Sequence, residues 1–221
     1  MKLVTLTLIG ALLLSGCHVG RMHHELKGSG VRKKEKRDLG AFTSISTDGA
    51  FDIQVVAQQP QSLEIEGDDN LLALVATEVS GSVLRIKSLR GYSNEEPIKI
   101  RISVQSIEAF TANGVGKIDI SALKNDKFEL DSNGAPTIKV SGETKSLVID
   151  AKGAGSIDAH KLRSTNAEVD SKGVAKVEVF ASDKLNVTIN GPSTVTYDGD
   201  PDLNQTINGP GSIKKRESSG A

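Results

Sequence analysis

Asp131-Ser132-Asn133-Gly134 is answered nineteen residues later by Asp150-Ala151-Lys152-Gly153, and twenty later again by Asp170-Ser171-Lys172-Gly173. The same signal stands upstream as Thr111-Ala112-Asn113-Gly114. It recurs downstream as Thr188-Ile189-Asn190-Gly191 and Thr206-Ile207-Asn208-Gly209. Successive glycines (Gly114, Gly134, Gly153, Gly173, Gly191, Gly209) are 20, 19, 20, 18 and 18 residues apart. Six copies at so regular a spacing are the mark of a solenoid, whose units bury their apolar faces only by stacking on one another.

Apolar residues alternate on both sides of each glycine. Leu147 and Ile149 precede Gly153, and Ile157 and Ala159 follow it; the other copies keep this period of two, which half-buried strands require. Each unit therefore reads strand, glycine corner, strand, return. The position two past the glycine is small or constrained (Gly116, Pro136, Gly155, Ala175, Ser193, Gly211). Such corners suit a chain that takes positive φ and stacks closely on the next corner.

Parallel stacking of equivalent strands gives a β-helix at about 4.8 Å per rung, whereas consecutive hairpins give an antiparallel sandwich or barrel. The equivalence of all copies favours the former. Ile118, Ile138, Ile157, Val177, Val195 and Ile213 then form one inward ladder. The expected fold is all-β: a single-stranded parallel β-helix (solenoid) with rungs of about 18–20 residues, flattened into two sheets. Residues 41–107 are strand-rich but less regular and read as an N-terminal cap, with Asp69–Ser80 open between helix and strand. A solenoid needs such a cap to cover its terminal strand edge.

Composition agrees. The 221 residues include 22 Gly, 7 aromatics, no Trp and one Cys. One cysteine excludes a disulfide framework and a cysteine metal cluster. Lys+Arg number 27 against 28 Asp+Glu, so no bulk charge is available to hold nucleic acid.

The N-terminus carries an address. Lys2 and the apolar run 3–14 have the length of a secretory signal, and they end in Leu14-Ser15-Gly16-Cys17, which resembles a bacterial lipobox. The expectation is a signal peptide over 1–16 and acylation at Cys17, with several chains giving stable anchorage where one would not. His18 after the cysteine resembles an outer-membrane sorting signal. Residues 17–38 read as a charged, flexible tether, with a basic patch on anionic headgroups as the sharper alternative. His18, His23 and His24 are a weak metal-binding signal. Residues 39–216 form the solenoid domain and 217–221 a disordered tail.

The lipobox, the Phe42 opening strand, Gly67-Asp68-Asp69-Asn70-Leu71-Leu72, the repeated Asn-Gly corners and Tyr197-Asp198-Gly199-Asp200-Pro201 together resemble one bacterial envelope family. It is the auto-transporter adhesin, head GIN domain family, and the resemblance spans roughly residues 39–214. It implies a β-helix similar to pectin lyases but without their catalytic residues, and adhesion as a role suggested by analogy. Corners such as Asn133-Gly134-Ala135-Pro136 and Lys172-Gly173-Val174-Ala175 depart from the family's double-small pattern.

Chemistry is sparse. Asp131, Asp150 and Asp170 stand three positions before successive corner glycines, with Glu129 and Glu168 on the same outward face. Stacked carboxylates repel, and either a bound cation or Lys152 and Lys172 would relieve that. A solvated, self-compensating face is the simpler reading. The row Asp119, Lys139, Asp158, Glu178, Thr196, Lys214 mixes signs in the same manner. His160 is the one histidine of the repeats and lacks a nucleophile motif. Asn113, Asn133, Asn190 and Asn208 suit a structural amide ladder. No nucleotide, haem or zinc motif is present, and no cofactor, metal or catalytic residue is expected.

The functional expectation is a non-catalytic envelope lipoprotein, lipid-anchored and outer-membrane directed, that offers a rigid polar wall to a glycan or protein. A polysaccharide lyase or hydrolase on the same scaffold is the alternative. A structural protein that self-associates as a homo-oligomer is a third reading.

Overall fold

A computed structural model describes residues 26–217. The signal, Cys17, His18, His23, His24 and residues 218–221 lie outside them. The N-terminal part contains β1 (Leu26–Lys27), β2 (Arg32–Lys36), β3 (Ser44–Asp48), β4 (Phe51–Ala57), β5 (Ser62–Asp68), β6 (Val75–Ser80), β7 (Val83–Ser88), β8 (Tyr92–Ser93) and β9 (Ile98–Val104). The stack continues through β10 (Ala109–Ala112), β11 (Val115–Ser132), β12 (Ala135–Ala151), β13 (Ser156–Ser171) and β14 (Lys176–Ile189). It closes with β15 (Thr194–Asp198), β16 (Asp202–Ile207) and β17 (Ser212–Lys215).

The result is a parallel β-solenoid of about five turns. Rungs β11, β12, β13 and β14 are long bent strands paired in parallel, each a whole turn of the coil. The expected ladder is present: Ile118 pairs with Ile138, Ile138 with Ile157, Ile157 with Val177, Val177 with Val195, and Val195 with Ile213. It extends into the N-terminal part through Ile53 and Ile100. A second inward column runs Leu84, Ile45, Phe110, Leu130, Ile149, Val169, Val187. These columns, buried except for the half-buried Ile213 at the end, form one continuous core, to which a fully buried Leu or Ile contributes about 1.5–3 kcal/mol.

The glycine corners obey a sharper constraint than positive φ. Gly114, Gly134, Gly153, Gly173 and Gly191 are absent from the positive-φ glycines. A Cβ on any of the first four would instead sit far inside the radius of the carbonyl oxygen of the preceding corner glycine, starting from Gly49 below Gly114. Backbone stacks on backbone, and no side chain fits between.

The N-terminal part is closed by antiparallel strands. β5 runs antiparallel to β9, and β6 antiparallel to β7. Asp69–Ser80 resolves into both of its open readings: a 3₁₀ turn at Leu72–Leu74, then strand β6. Over residues 26–37 the expected flexible tether is corrected. β2 pairs antiparallel with β5, setting Arg32, Lys34 and Lys36 opposite Asp68, Glu66 and Glu64. Opposite charges across a strand pair supply the attraction that apolar alternation supplies elsewhere. Arg37 then donates from its guanidinium to the carbonyls of Val75 and Leu72 and to Thr77 Oγ1. Residues 26–37 are thus a strap bonded into the cap.

The Asp68-Asp69-Asn70 motif holds that strap. Asp68 is 4% exposed and its Oδ2 accepts from the Gly30 amide at 3.2 Å. Asp69 Oδ1 accepts from Ser29 Oγ at 2.7 Å, and Asn70 both accepts from the Ser29 amide and donates to the Lys27 carbonyl. Among the described residues no helix is long and apolar enough to cross a membrane.

Candidate functional site

The acidic ladder forms in register. Asp131 pairs with Asp150, and Asp150 with Asp170, between Thr111 on one side and Thr188 on the other. Asp150 is held by Lys152 at 2.6 Å and Asp170 by Lys172 at 2.7 Å. Both lysines come from two residues further along the same strand end, so the Asp150 and Asp170 rungs each carry their own counter-ion, while Asn133 takes that place in the Asp131 rung. The ladder compensates itself, although the inner oxygens of Asp150 and Asp170 are buried without a hydrogen-bond partner. Glu129 and Glu168 are not neighbours, because Val148 stands between them, and Glu129 is engaged by Lys127.

The mixed outward row behaves similarly. Asp119 pairs with Lys139 and Lys139 with Asp158, so signs alternate over these three rungs before Asp158 meets the like-charged Glu178. Within this row stacking sets Glu178 beside Asp158 and its near neighbour in sequence His160, with ligand atoms within 4.8 Å of one another. His160 Nδ1 contacts Asp158, while Glu178 is engaged by both Lys176 and Arg216. These two cations, the Lys176 hydrogen bond foremost, hold the Glu178 carboxyl below the usual range. The cluster reads as a charge network more readily than as a metal centre. The amide ladder splits into two pairs, Asn133 to Asn113 and Asn208 to Asn190, because Lys152 and Lys172 occupy the rungs between.

A broad concavity lies where sequence signals are faintest. From β11 to β14 each rung has a second corner, without glycine periodicity, at which the cross-rung register slips: between Ile120 and Leu123, Lys139 and Ser141, Ala159 and Arg163. Bulges of this kind re-aim side chains and collect beside functional sites. Beyond them the chain folds into a trough of about 1070 Å³ crossing the consecutive levels from β3 to β14. Its floor is short and polar: Asn125, Thr144 and Ser164, the last two 6% and 2% exposed. Asn125 Nδ2 donates to the Ile107 carbonyl at 2.6 Å, leaving its Oδ1 buried and unpartnered.

One wall is the register column Lys124, Glu143, Arg163, Phe180. The Arg163 guanidinium lies 4.2 Å from the Phe180 ring centroid, a cation–π contact that presents its donors in a fixed plane. Opposite lie Glu108, Lys127 and Glu129. Of the expected acidic residues only Glu129 lines this trough. The remaining lining residues escape sequence reading, since only the slipped register puts them side by side.

Fold and trough together define a class: a β-solenoid that displays a polar, hydroxyl-rich groove along its flank. Within that class the chain belongs to the family described as "Putative auto-transporter adhesin, head GIN domain", whose profile matches residues 41–201. Solved structures share the fold. A putative adhesin from Bacteroides fragilis is 21% identical at TM-score 0.72, with 86% of this chain and 100% of that one covered. A putative adhesin from Parabacteroides merdae is 19% identical at TM-score 0.53, covering 87% and 99%. A protein from Parabacteroides distasonis described as a putative lipid binding protein is 20% identical at TM-score 0.55, covering 87% and 100%. No curated protein matches.

Proposed function

We propose that the protein is a non-catalytic, lipid-anchored envelope adhesin module that holds a glycan in the flank trough. The trough itself carries this reading. Its lining is rich in hydroxyls (Ser44, Ser106, Thr144, Ser164, Thr165, Ser182) and poor in apolar anchors. A protein interface of that size would centre on buried aromatic hot spots, whereas the one ring here is covered by Arg163. Charges in the trough are mixed, with Lys127 engaging Glu129 and Lys145 engaging Asp126, which suits a polar polymer of low charge density. Family membership supports adhesion, Leu14-Ser15-Gly16-Cys17 supports export and anchorage through the Cys17 lipid, and His18 after it supports sorting to the outer membrane.

The reading against catalysis rests on the stacked acids. A uronate lyase needs a base and a cation site converging in a cleft. Asp131, Asp150 and Asp170 form a column outside the trough, and Lys152 and Lys172 hold two of them.

The test is glycan-array binding by the purified full chain, alongside Arg163→Ala/Phe180→Ala. The double variant should lose at least about tenfold in affinity, the scale of about 1.4 kcal/mol, while its unfolding midpoint holds. Release of unsaturated uronate product by the wild type would overturn the non-catalytic reading. Capture of a protein in place of any glycan would overturn the choice of ligand.

A further inference from the structure

The two ends of the stack are finished differently. At the N-terminal end antiparallel strands close the coil, β5 on β9 and β6 on β7. At the other end, among the described residues, β16 pairs only with β14 and β17 only with β15. Each therefore keeps one edge of main-chain donors and acceptors unpaired, the template on which a further strand adds. The layer between these edges is apolar and uncovered. Leu203 and Ile213 continue the inward columns past Leu185 and Val195 but are only half-buried, and Ile207, past Ile189, is 41% exposed.

The charges at this end complement one another. Lys215 is tied to Asp200, and Arg216 to Glu178 and Asp198. Asp202 on β16 and Lys214 on β17 are exposed and belong to none of these pairs. They alternate with the inward Leu203 and Ile213, so both point away from the core. Two strands on different sides of the coil thus carry opposite, uncompensated charges.

We propose that a second copy of this chain covers this end, two-fold related and tail to tail, with β16 of each copy antiparallel to β17 of the other. Turning a coil over about an axis across its end reverses its sense of winding, so strands laid edge to edge run antiparallel. The coil also climbs as it winds, which sets β17 further along the stack than β16 by part of the rung spacing of about 4.8 Å. Pairing β17 with β17 would hold the two β16 edges apart by twice that step. Crossed pairing joins one high and one low edge at both junctions, and so closes both at the same spacing. With Asp202 opposite Lys214 of the second copy, Leu203 falls opposite Ile213 and Asn204 opposite Ser212. The apolar layer then meets its own counterpart, and each junction gains an ion pair. A single strand from another protein would fill one edge and leave the other open. The contact is one rung in cross-section, small for a stable interface, so the dimer forms and parts with concentration. The proposal is independent of the trough and of the lipid anchor.

The test is sedimentation equilibrium of the purified full chain in detergent, with Asp202→Lys and Lys214→Asp as single variants. The wild type should show a concentration-dependent dimer. Each variant sets like charges at both junctions and should weaken the dimer by about tenfold or more, while its unfolding midpoint holds. Mixing the two variants should restore association, because lysines of one copy then meet aspartates of the other at both junctions. A wild type that stays monomeric would assign the end to another occupant and overturn the proposal. Association untouched by the single variants, or a mixture no tighter than either variant alone, would overturn the crossed pairing.

Discussion

The rungs from β10 onward and the cap before them are stabilised by different chemistry. In the stack, like sits on like: isoleucine on isoleucine, glycine on glycine, asparagine on asparagine, with few long-range side-chain hydrogen bonds to backbone. In the cap, Arg32, Arg37, Asp68 and Asn70 reach across the chain to backbone groups that no repeat would satisfy. A repeat solves the pairing of its interior rungs once and copies the answer. Its ends have only one neighbour, and non-repeating side chains must serve there. The C-terminal end shows the same need in weaker form, where Gln205 replaces the apolar ladder residue opposite Val187 and Ile207 is 41% exposed.

The sharpest way to break the comparison is at a corner. Gly153→Ala places a methyl against the Gly134 carbonyl and should cost at least about 3 kcal/mol, because backbone, not a movable side chain, is in the way. Gly40→Ala meets only Val79 Cγ1 at 3.9 Å and should change stability by less than about 0.5 kcal/mol. Urea unfolding of both variants checks this, and equal effects would refute the stacking argument.

Arg37→Ala should come next, at about 2–3 kcal/mol, since it strips charged hydrogen bonds from the Val75 and Leu72 carbonyls. Native-state hydrogen exchange should show protection lost in β2 and β6 while β12 and β13 keep theirs. Uniform loss throughout would mean that cap and stack unfold as one unit.

The smallest effect is acid fraying. Arg101 foremost holds the Glu66 carboxyl below its ordinary value of 4.5, and Ser29 and then Lys33 hold Asp69 below 3.8. Depressed values contribute stability above the ordinary carboxylate range and lose it as pH falls through the folded-state values. Glu178, held by Lys176 foremost and then by Arg216 near the other end, behaves alike. Exchange at pH 3 should therefore rise at both ends before it rises at Ile138 or Ile157, and a uniform rise would contradict that order.

The same contrast explains what could be read from sequence. The stack is legible because each ladder position repeats its residue type at a fixed interval, as Ile118, Ile138 and Ile157 do. The strap is not, because Arg32-Lys33-Lys34-Glu35-Lys36 has no apolar alternation and looks solvated until Glu64, Glu66 and Asp68 are set across from it. The acidic column is legible as a column, and its lysine counter-ions can be guessed. The trough is invisible, because Lys124, Glu143 and Arg163 become neighbours only through bulges that shift the interval within each rung. The Asp68-Asp69-Asn70 motif marks the family in sequence, but its use as a clamp emerges only once the strap is in place.

The column of glycines has an evolutionary consequence. Each interior corner touches one carbonyl below and offers one above, so every joint between rungs presents the same mating surface. A gene that gains or loses a whole nineteen-residue segment would leave all remaining joints unchanged and shift the ends by one strand spacing. Loss or gain of a few residues would throw every later glycine off its carbonyl. Length in such a chain is inherited in whole rungs and can be adjusted by copying, without new design.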